Sequence, residues 1–297
     1  MDGKTVPYAS AQIHVLSHSL HYGSAAFEGM RAYRLTSGKT GIFRAKEHYE
    51  RFFNSIRVLG YHTRWTTEQL VEATRALITV NGFQQCYVRP IAFIDDAVRG
   101  LRLPKEPKAS VTIATWDWGK YMGDDGHKNG VRVGVSTLRR PDVATSLPWA
   151  KLSGNYLVSV LSRLEATQNG FDEAILLDPN GYVAEGSGEN IFVVKNRIIS
   201  TPPTAHILPG ITRDSVIQIA RDLGYTVREE NIIRNQLYLA DEVFFSGTAV
   251  EVTPIREIDH RPIGASKPGP VCKTISEAFF SAVHGDSPRY SAWVTSV

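Results

Sequence analysis

The feature that most constrains this chain is an alternation of period. Short β-branched and aromatic runs are followed, in both halves, by stretches in which apolar residues recur at helical spacing. In the second half, Leu157, Val160, Leu161 and Leu164 fall at i, i+3, i+4 and i+7, and Gly170 closes the run. Val216, Ile219, Ala220 and Leu223 repeat the pattern and stop at Gly224. Between them, Ala174–Leu177 and Tyr182–Ala184 flank the turn Asp178-Pro-Asn-Gly181 and predict a hairpin, with further strands at Val131–Thr137, Ile191–Val194 and Val243–Phe245. In the first half, Thr66-Thr-Glu-Gln69 reads as a capping box. It opens a helix carrying Leu70, Ala73, Leu77 and Val80 and ended by Gly82. Ala45–Val58 reads as another helix, and Tyr87–Phe93 and Val111–Thr115 as strands. Strands and helices in both halves predict a mixed α/β, or α+β, chain.

At 297 residues the chain is long enough for two domains. Gly119-Lys-Tyr-Met-Gly-Asp-Asp-Gly-His-Lys-Asn-Gly130 is the best boundary, with its glycines and little apolar patterning. The expectation is a small domain over 1–122, a linker over 123–130 and a large domain over 131–297.

Composition removes several classes of function. Hydrophobic residues make up 42% and charged residues 21%, which is ordinary for a globular chain. A net charge of +3 with no basic block gives no footprint for nucleic acid. No apolar run reaches the length of a membrane span, and Met1-Asp2-Gly3-Lys4 opens no signal peptide. The two cysteines, Cys86 and Cys272, are too few for a disulfide framework. A cytoplasmic protein is the expectation.

Some motifs fail. His14, His18 and His21 have ligand-like spacings, but Gln12–His18 alternates like a strand and no acidic partner follows, so no metal site is expected. Gly186-Ser187-Gly188 lacks the spacing of a nucleophile elbow. Neither a P-loop nor a GxGxxG turn is present.

Four segments carry chemistry. Ala150-Lys151-Leu-Ser-Gly154-Asn155-Tyr156 places a lysine among small residues at a helix entry, where an amine can lose solvent and serve in a Schiff base. Glu185-Gly-Ser-Gly-Glu189-Asn190 places carboxylates beside glycines that permit close backbone approach. Leu208-Pro-Gly210-Ile211-Thr212-Arg213 opens a helix whose N–H groups can bind an anion. Ser246-Gly247-Thr248-Ala249 is a second anion-facing turn. Taken singly, each also reads as a surface lysine, a tight turn or an ordinary helix start. Taken together, an anion cradle, a lysine and a carboxylate fit pyridoxal phosphate, whose ring must stay protonated to act as an electron sink.

These residues resemble the class IV aminotransferases, of pyridoxal-phosphate fold type IV, and among them the branched-chain amino acid aminotransferases. The resemblance runs nearly end to end. It includes Ser17-His-Ser-Leu-His-Tyr22-Gly23, Phe27-Glu-Gly29-Met-Arg31, Tyr87-Val-Arg89-Pro90, Lys151 with Gly154-Asn-Tyr156, Glu185–Asn190, Leu208–Arg213 and Gly247-Thr-Ala-Val-Glu251.

The resemblance implies two α/β domains with the cofactor between them and at least a homodimer. It makes Lys151 the catalytic lysine that joins the cofactor and carries a proton between Cα and C4′. Glu185 would pair with the pyridine nitrogen, and Tyr156 with the phenolate oxygen. Arg51, Ile211, Thr212 and Thr248 would hold the phosphate, and Leu208 would pack on the ring. Tyr22, Phe27, Gly29, Trp118 and Tyr121 would line an apolar pocket for leucine, isoleucine and valine. Tyr87 and the amides of Thr248 and Ala249 would hold the α-carboxylate, and Arg89 the distal carboxylate of glutamate or 2-oxoglutarate. The loop Asp96-Ala-Val-Arg99-Gly100-Leu101 would reach the partner's pocket.

Two departures stand out. The chain begins inside what is usually a first hairpin, so an initial strand is expected to be short or missing. Arg99 puts a charge where a small or apolar residue is usual, a second carboxylate contact or a solvated rim arginine. Within the same fold, D-amino acid transaminases, (R)-amine transaminases and aminodeoxychorismate lyases are the alternatives. Tyr87-x-Arg89 with Tyr22 argues against them, and retention of Lys151, Glu185, Arg51 and Tyr156 argues against a non-catalytic carrier.

Overall fold

The structure, a computed structural model, describes residues 1–95, 100–119 and 121–297. The chain divides into two compact units. Unit 1 comprises Met1–Trp118, Ala150–Tyr156 and Ala282–Val297; unit 2 comprises Gly119–Trp149 and Leu157–Ser281. Two segments beyond residue 130 therefore cluster with the N-terminal part, and one of them carries Lys151.

Unit 1 is built on an antiparallel sheet of β1 (Ala26–Phe27), β2 (Met30–Arg34), β3 (Thr40–Phe43), β4 (Cys86–Phe93), β5 (Ser110–Trp116) and the C-terminal strand Val294–Ser296. The order is β1-β4-β2-β3-C-terminal strand, and β5 also pairs with β4. Its helices are α1 (His18–Tyr22), α2 (Ala45–Val58) and α3 (Thr67–Asn81). Helix α2 buries Ala45, His48, Tyr49, Phe52, Ser55 and Ile56, one face at helical spacing. Helix α3 opens with the capping box at Thr66 and ends at Gly82, which takes the left-handed conformation.

The expected face of α3 is shifted. Leu70, Thr74 and Ile78 are buried, whereas Ala73 and Val80 are exposed. Thr74 is satisfied in the core because its hydroxyl bonds to Leu70 O and Tyr49 Oη. The alternation of Gln12–His18 does not make a strand. Among the described residues no strand precedes Ala26; Tyr8–Ser10 is a 3₁₀ turn and His18 opens α1. Ile13 and Val15 are exposed, so this alternation has no buried face to specify.

Unit 2 carries a mixed sheet of β6 (Val131–Arg139), β7 (Glu173–Leu177), β8 (Val183–Gly186), β9 (Asn190–Lys195), β10 (Ile198–Thr201), β11 (Thr226–Glu229), β12 (Glu242–Gly247), β13 (Glu251–Ile258) and β14 (Arg261–Pro262). The order is β11-β10-β9-β12-β13-β6-β7-β8, with β14 on β13. Strands β7, β9 and β12 are apolar and buried almost throughout, as strands covered on both faces are. Phe192 and Phe244 stack across β9 and β12 with ring centroids 5.1 Å apart.

The helices that follow in the chain are α4 (Gly123–Asn129), α5 (Tyr156–Gln168), α6 (Ile211–Asp222), α7 (Arg234–Tyr238) and α8 (Pro270–Val283). Helix α4 occupies the stretch expected as a glycine-rich linker, and Gly126 is buried there against Met122 and Val131. Helix α5 inverts its expected face. It buries Ser159, Ser162 and Ala166, while Leu157, Val160, Leu161 and Leu164 are 65%, 62%, 44% and 51% exposed.

Candidate active site

In unit 1, Lys151 is held by its backbone. Its N–H donates to Ser55 Oγ at 2.9 Å, and its carbonyl accepts from Phe27 N–H at 3.0 Å. Leu152 bridges to Ala26, and Gly154 N–H donates to Gly23 O. A Cβ on Gly23 would lie 2.9 Å from Gly154 Cα, and Gly23 has φ +65°, so this approach requires glycine. The segment is thereby fixed to β1 and α2, and it presents the amine.

Lys151 Nζ donates to Tyr156 Oη at 2.5 Å. The amine lies 4.9 Å from the Phe27 ring centroid and 4.8 Å from that of Tyr156, and these two rings meet edge to face. The Arg89 guanidinium sits 5.1 Å from the Phe27 ring and 5.2 Å from that of Tyr87, and donates to Tyr87 Oη at 3.3 Å. Trp116 and Trp118 pack on Tyr87 at 5.0 and 4.5 Å. Gly29 makes room for this phenol, because a Cβ there would lie 1.9 Å from Tyr87 Oη. Lys151, Tyr156, Phe27, Gly29, Tyr87, Arg89 and Trp118 thus share one neighbourhood. Tyr22 is outside this cluster; it is 45% exposed and its ring contacts are with His18 and His21.

Arg51 is gripped by Glu28, which accepts from Nε at 2.6 Å and from Nη2 at 3.0 Å. His48 Nδ1 lies 2.7 Å from the same carboxylate. Burial alone would raise the Glu28 pKa, but Arg51 and His48 hold it well below the usual carboxylate range. Burial lowers the His48 pKa against the pull of Glu28, whose carboxylate accepts from Nδ1–H.

In unit 2, Glu185 lies on β8 with its carboxylate 3.0 Å from Arg140 Nε. Arg140 also donates to Ser159 Oγ and to the carbonyls of Gly186 and Ser187. Asn190 Nδ2 donates to Glu185 at 3.2 Å and to Leu208 O at 3.0 Å, tying the Glu185 turn to the Leu208 segment. Gly210 precedes α6, where a Cβ would lie 2.0 Å from Asn190 Oδ1. No side chain caps α6, which begins at Ile211 and Thr212. Thr248 and Ala249 lie in the turn between β12 and β13, both partly exposed. Tyr121 Oη accepts from Arg163 at 2.9 Å. Arg99 lies outside the described residues, as do Asp96, Ala97 and Val98.

Sequence reasoning missed several partners. Arg140 has no spacing signal in the chain. Glu28 stands in the Phe27–Arg31 motif and His48 on the helix expected at Ala45–Val58, yet only the fold brings them to Arg51. Ser246, which opens the expected anion-facing turn Ser246–Ala249, has a buried Oγ with no hydrogen-bond partner among the described residues. Arg213 of the Leu208–Arg213 motif is occupied elsewhere, with Pro202 O and Glu229.

A family model described as "Amino-transferase class IV" matches residues 25–258. A branched-chain-amino-acid aminotransferase of Pseudomonas aeruginosa is 43% identical over 296 residues, covering 100% of this chain and 96% of that one. The crystal structure of the Escherichia coli branched-chain amino acid aminotransferase superposes with a TM-score of 0.96 at 40% identity, covering 99% of this chain and 96% of that one. The branched-chain amino acid aminotransferase of Thermobaculum terrenum, solved in its PLP-form, gives a TM-score of 0.92 at 30% identity, covering 99% of this chain and 96% of that one. With a family match over most of its length and such relatives along all of it, this chain belongs to the class IV aminotransferases.

Proposed function

We propose that this protein is a pyridoxal-phosphate-dependent transaminase. It exchanges the amino group between branched-chain L-amino acids and 2-oxoglutarate, giving branched-chain 2-oxo acids and L-glutamate. The observation that carries the reading is the Lys151 amine, bonded to Tyr156 and set between aromatic rings beside Arg89.

The residues present fit the cofactor. An uncapped helix start at Ile211–Thr212 and the unpartnered hydroxyl of buried Ser246 are donors that suit a phosphate. Gly210 keeps that helix start clear of side-chain bulk. Arg51, held in orientation by Glu28, adds a fixed guanidinium, and Thr248 a hydroxyl. Glu185, paired with Arg140, is the carboxylate for a protonated ring nitrogen, and Leu208 is the apolar contact for a ring face. When bound, pyridoxal phosphate supplies an electron sink that stabilises negative charge at the substrate Cα.

Lys151 is the base that takes the Cα proton and the acid that returns it at C4′. Tyr156 orients the amine between these two positions. Tyr87 and the Thr248 and Ala249 amides hold the α-carboxylate. Phe27, Gly29 and Trp118 would supply the apolar wall from unit 1 and Tyr121 from unit 2, while Tyr22, exposed and outside the Lys151 cluster, has no place in the wall of its own subunit. Arg89 receives the distal carboxylate of glutamate. When an apolar side chain is present instead, Tyr87 and the rings around Arg89 remain as its partners.

The exposed stripe of Leu157, Val160, Leu161 and Leu164 supports a homodimer, because such a run on one helix is unusual for a lone subunit. No described helix is long and apolar enough to cross a membrane. Cys86 and Cys272 are both free, in keeping with a reducing, cytoplasmic setting.

The test is the visible spectrum of the purified protein before and after L-leucine. A yellow band that collapses on leucine supports cofactor, half-reaction and substrate class together. A band that moves only with D-alanine or (R)-1-phenylethylamine transfers the assignment to those chemistries. A protein that never takes up pyridoxal phosphate ends the proposal.

A further inference from the structure

Unit 2 holds two buried carboxylates and a half-buried guanidinium that the reaction as proposed does not use. Arg163, on α5, donates through its single Nη1 to both Tyr121 Oη, at 2.9 Å, and Glu173 Oε2. Its guanidinium lies 5.2 Å from the Tyr121 ring centroid, so both ring and hydroxyl rest on one side chain. Glu173, on β7, has a fully buried side chain, and its second oxygen accepts from Ala174 N–H at 2.7 Å. Glu189, 5% exposed, accepts from Gly188 N–H at 3.0 Å and hydrogen-bonds to Glu173.

Two buried carboxylates beside one guanidinium cannot both carry charge cheaply. Burial, reinforced by the charge of Glu173, pushes Glu189 well above the usual carboxylate range. Burial pushes Glu173 up as well, but Arg163 pulls the other way, so the charge settles there. The cluster therefore holds one proton and one ion pair. Its far end reaches the Glu185 turn, since Gly186 N–H donates to the Glu189 carbonyl and the adjacent Asn190 donates to Glu185.

We propose that Arg163, anchored by Glu173 and Glu189, is a positioning residue for substrate recognition, fixing the ring and hydroxyl of Tyr121 and so setting the fit of the substrate side chain. The inference rests on Tyr121 lining the pocket, as proposed above. It assigns Arg163 no contact with substrate. Its effect passes through Tyr121.

The experiment is a double-mutant cycle on the holoenzyme with Tyr121→Phe and Arg163→Met. KM and kcat are measured for 4-methyl-2-oxopentanoate and for 2-oxoglutarate. Because Arg163→Met alone leaves the Glu173 charge stranded, Arg163→Met/Glu173→Gln, neutral as a pair, is measured beside it, with thermal melting to establish folding. Each single variant and the neutral pair should raise KM for at least one oxo acid by about tenfold, with a smaller change in kcat. Because Tyr121→Phe keeps the ring on which Arg163 rests, adding Arg163→Met to it should raise KM by a smaller factor than Arg163→Met does alone. If the Arg163 variants leave KM unchanged while Tyr121→Phe raises it, or if the two effects multiply, Arg163 does not act through Tyr121 and the proposal falls. If Tyr121→Ala, measured alongside, leaves KM unchanged for both oxo acids, Tyr121 does not line the pocket, and that reading falls with it.

Discussion

The amine of Lys151 and the hydroxyl of Tyr156 lie 2.5 Å apart, five positions apart on a segment that unit 1 grips through β1 and α2. The pair is fixed before any ligand arrives, which is what a proton-transfer base needs. We expect Lys151→Ala to lower kcat by at least about 100-fold. Tyr156→Phe should retain cofactor, shift its visible absorption and lower kcat less. Full turnover in Lys151→Ala, measured by coupled assay, would sink the mechanism.

The Glu28–His48–Arg51 cluster sets an acid limit on stability. Glu28 has a folded pKa depressed below its unfolded value, so its contribution is complete above the ordinary carboxylate range, near 4.5, and fades as pH falls through that range and below. Urea midpoints at pH 7, 5 and 3 should drop steeply for the wild type and more shallowly for Glu28→Gln. At pH 7 Glu28→Gln should cost about 3 kcal/mol, because Arg51 loses its buried partner. Equal pH dependence in the two proteins would remove Glu28 from this role.

Gly29 leaves no space for a side chain beside Tyr87. Gly29→Ala should displace the phenol, together with Arg89, which donates to it. The expected outcome is a rise in KM for L-glutamate of about tenfold, with pyridoxal phosphate still bound. An unchanged KM would show that Tyr87 and Arg89 can shift without consequence for substrate.

The outward stripe on α5 should govern assembly. Leu157→Glu with Leu161→Glu places charges in an apolar patch and should yield monomers by sedimentation velocity, where the wild type is expected to sediment as a dimer or larger species. Unaltered sedimentation would mean that the contact between subunits lies elsewhere.

Local rules carried much of the fold. The Thr66 capping box and the stop at Gly82 are decided within a few residues, and both form as read. The hairpin around Asp178–Gly181 is equally local. What periodicity cannot state is which side of an amphipathic helix meets the core. On α5 the small residues face inward and the leucines outward, an arrangement that depends on what else packs there. The site shows the same division. Lys151, Tyr156 and Glu185 stand in motifs whose composition points to chemistry. Arg140 and His48 do not, since their meaning comes from contacts with residues remote in sequence.

The chain's division has a genetic consequence. Unit 1 draws on three separated stretches, and the short middle one, Ala150–Tyr156, is bracketed on both sides by sequence belonging to unit 2. A gene fragment ending at Trp118 would encode most of unit 1 but omit Lys151, while one starting at Gly119 would encode the lysine without β1 and α2, which hold it. Neither unit can be duplicated, lost or exchanged as a module by a single recombination event.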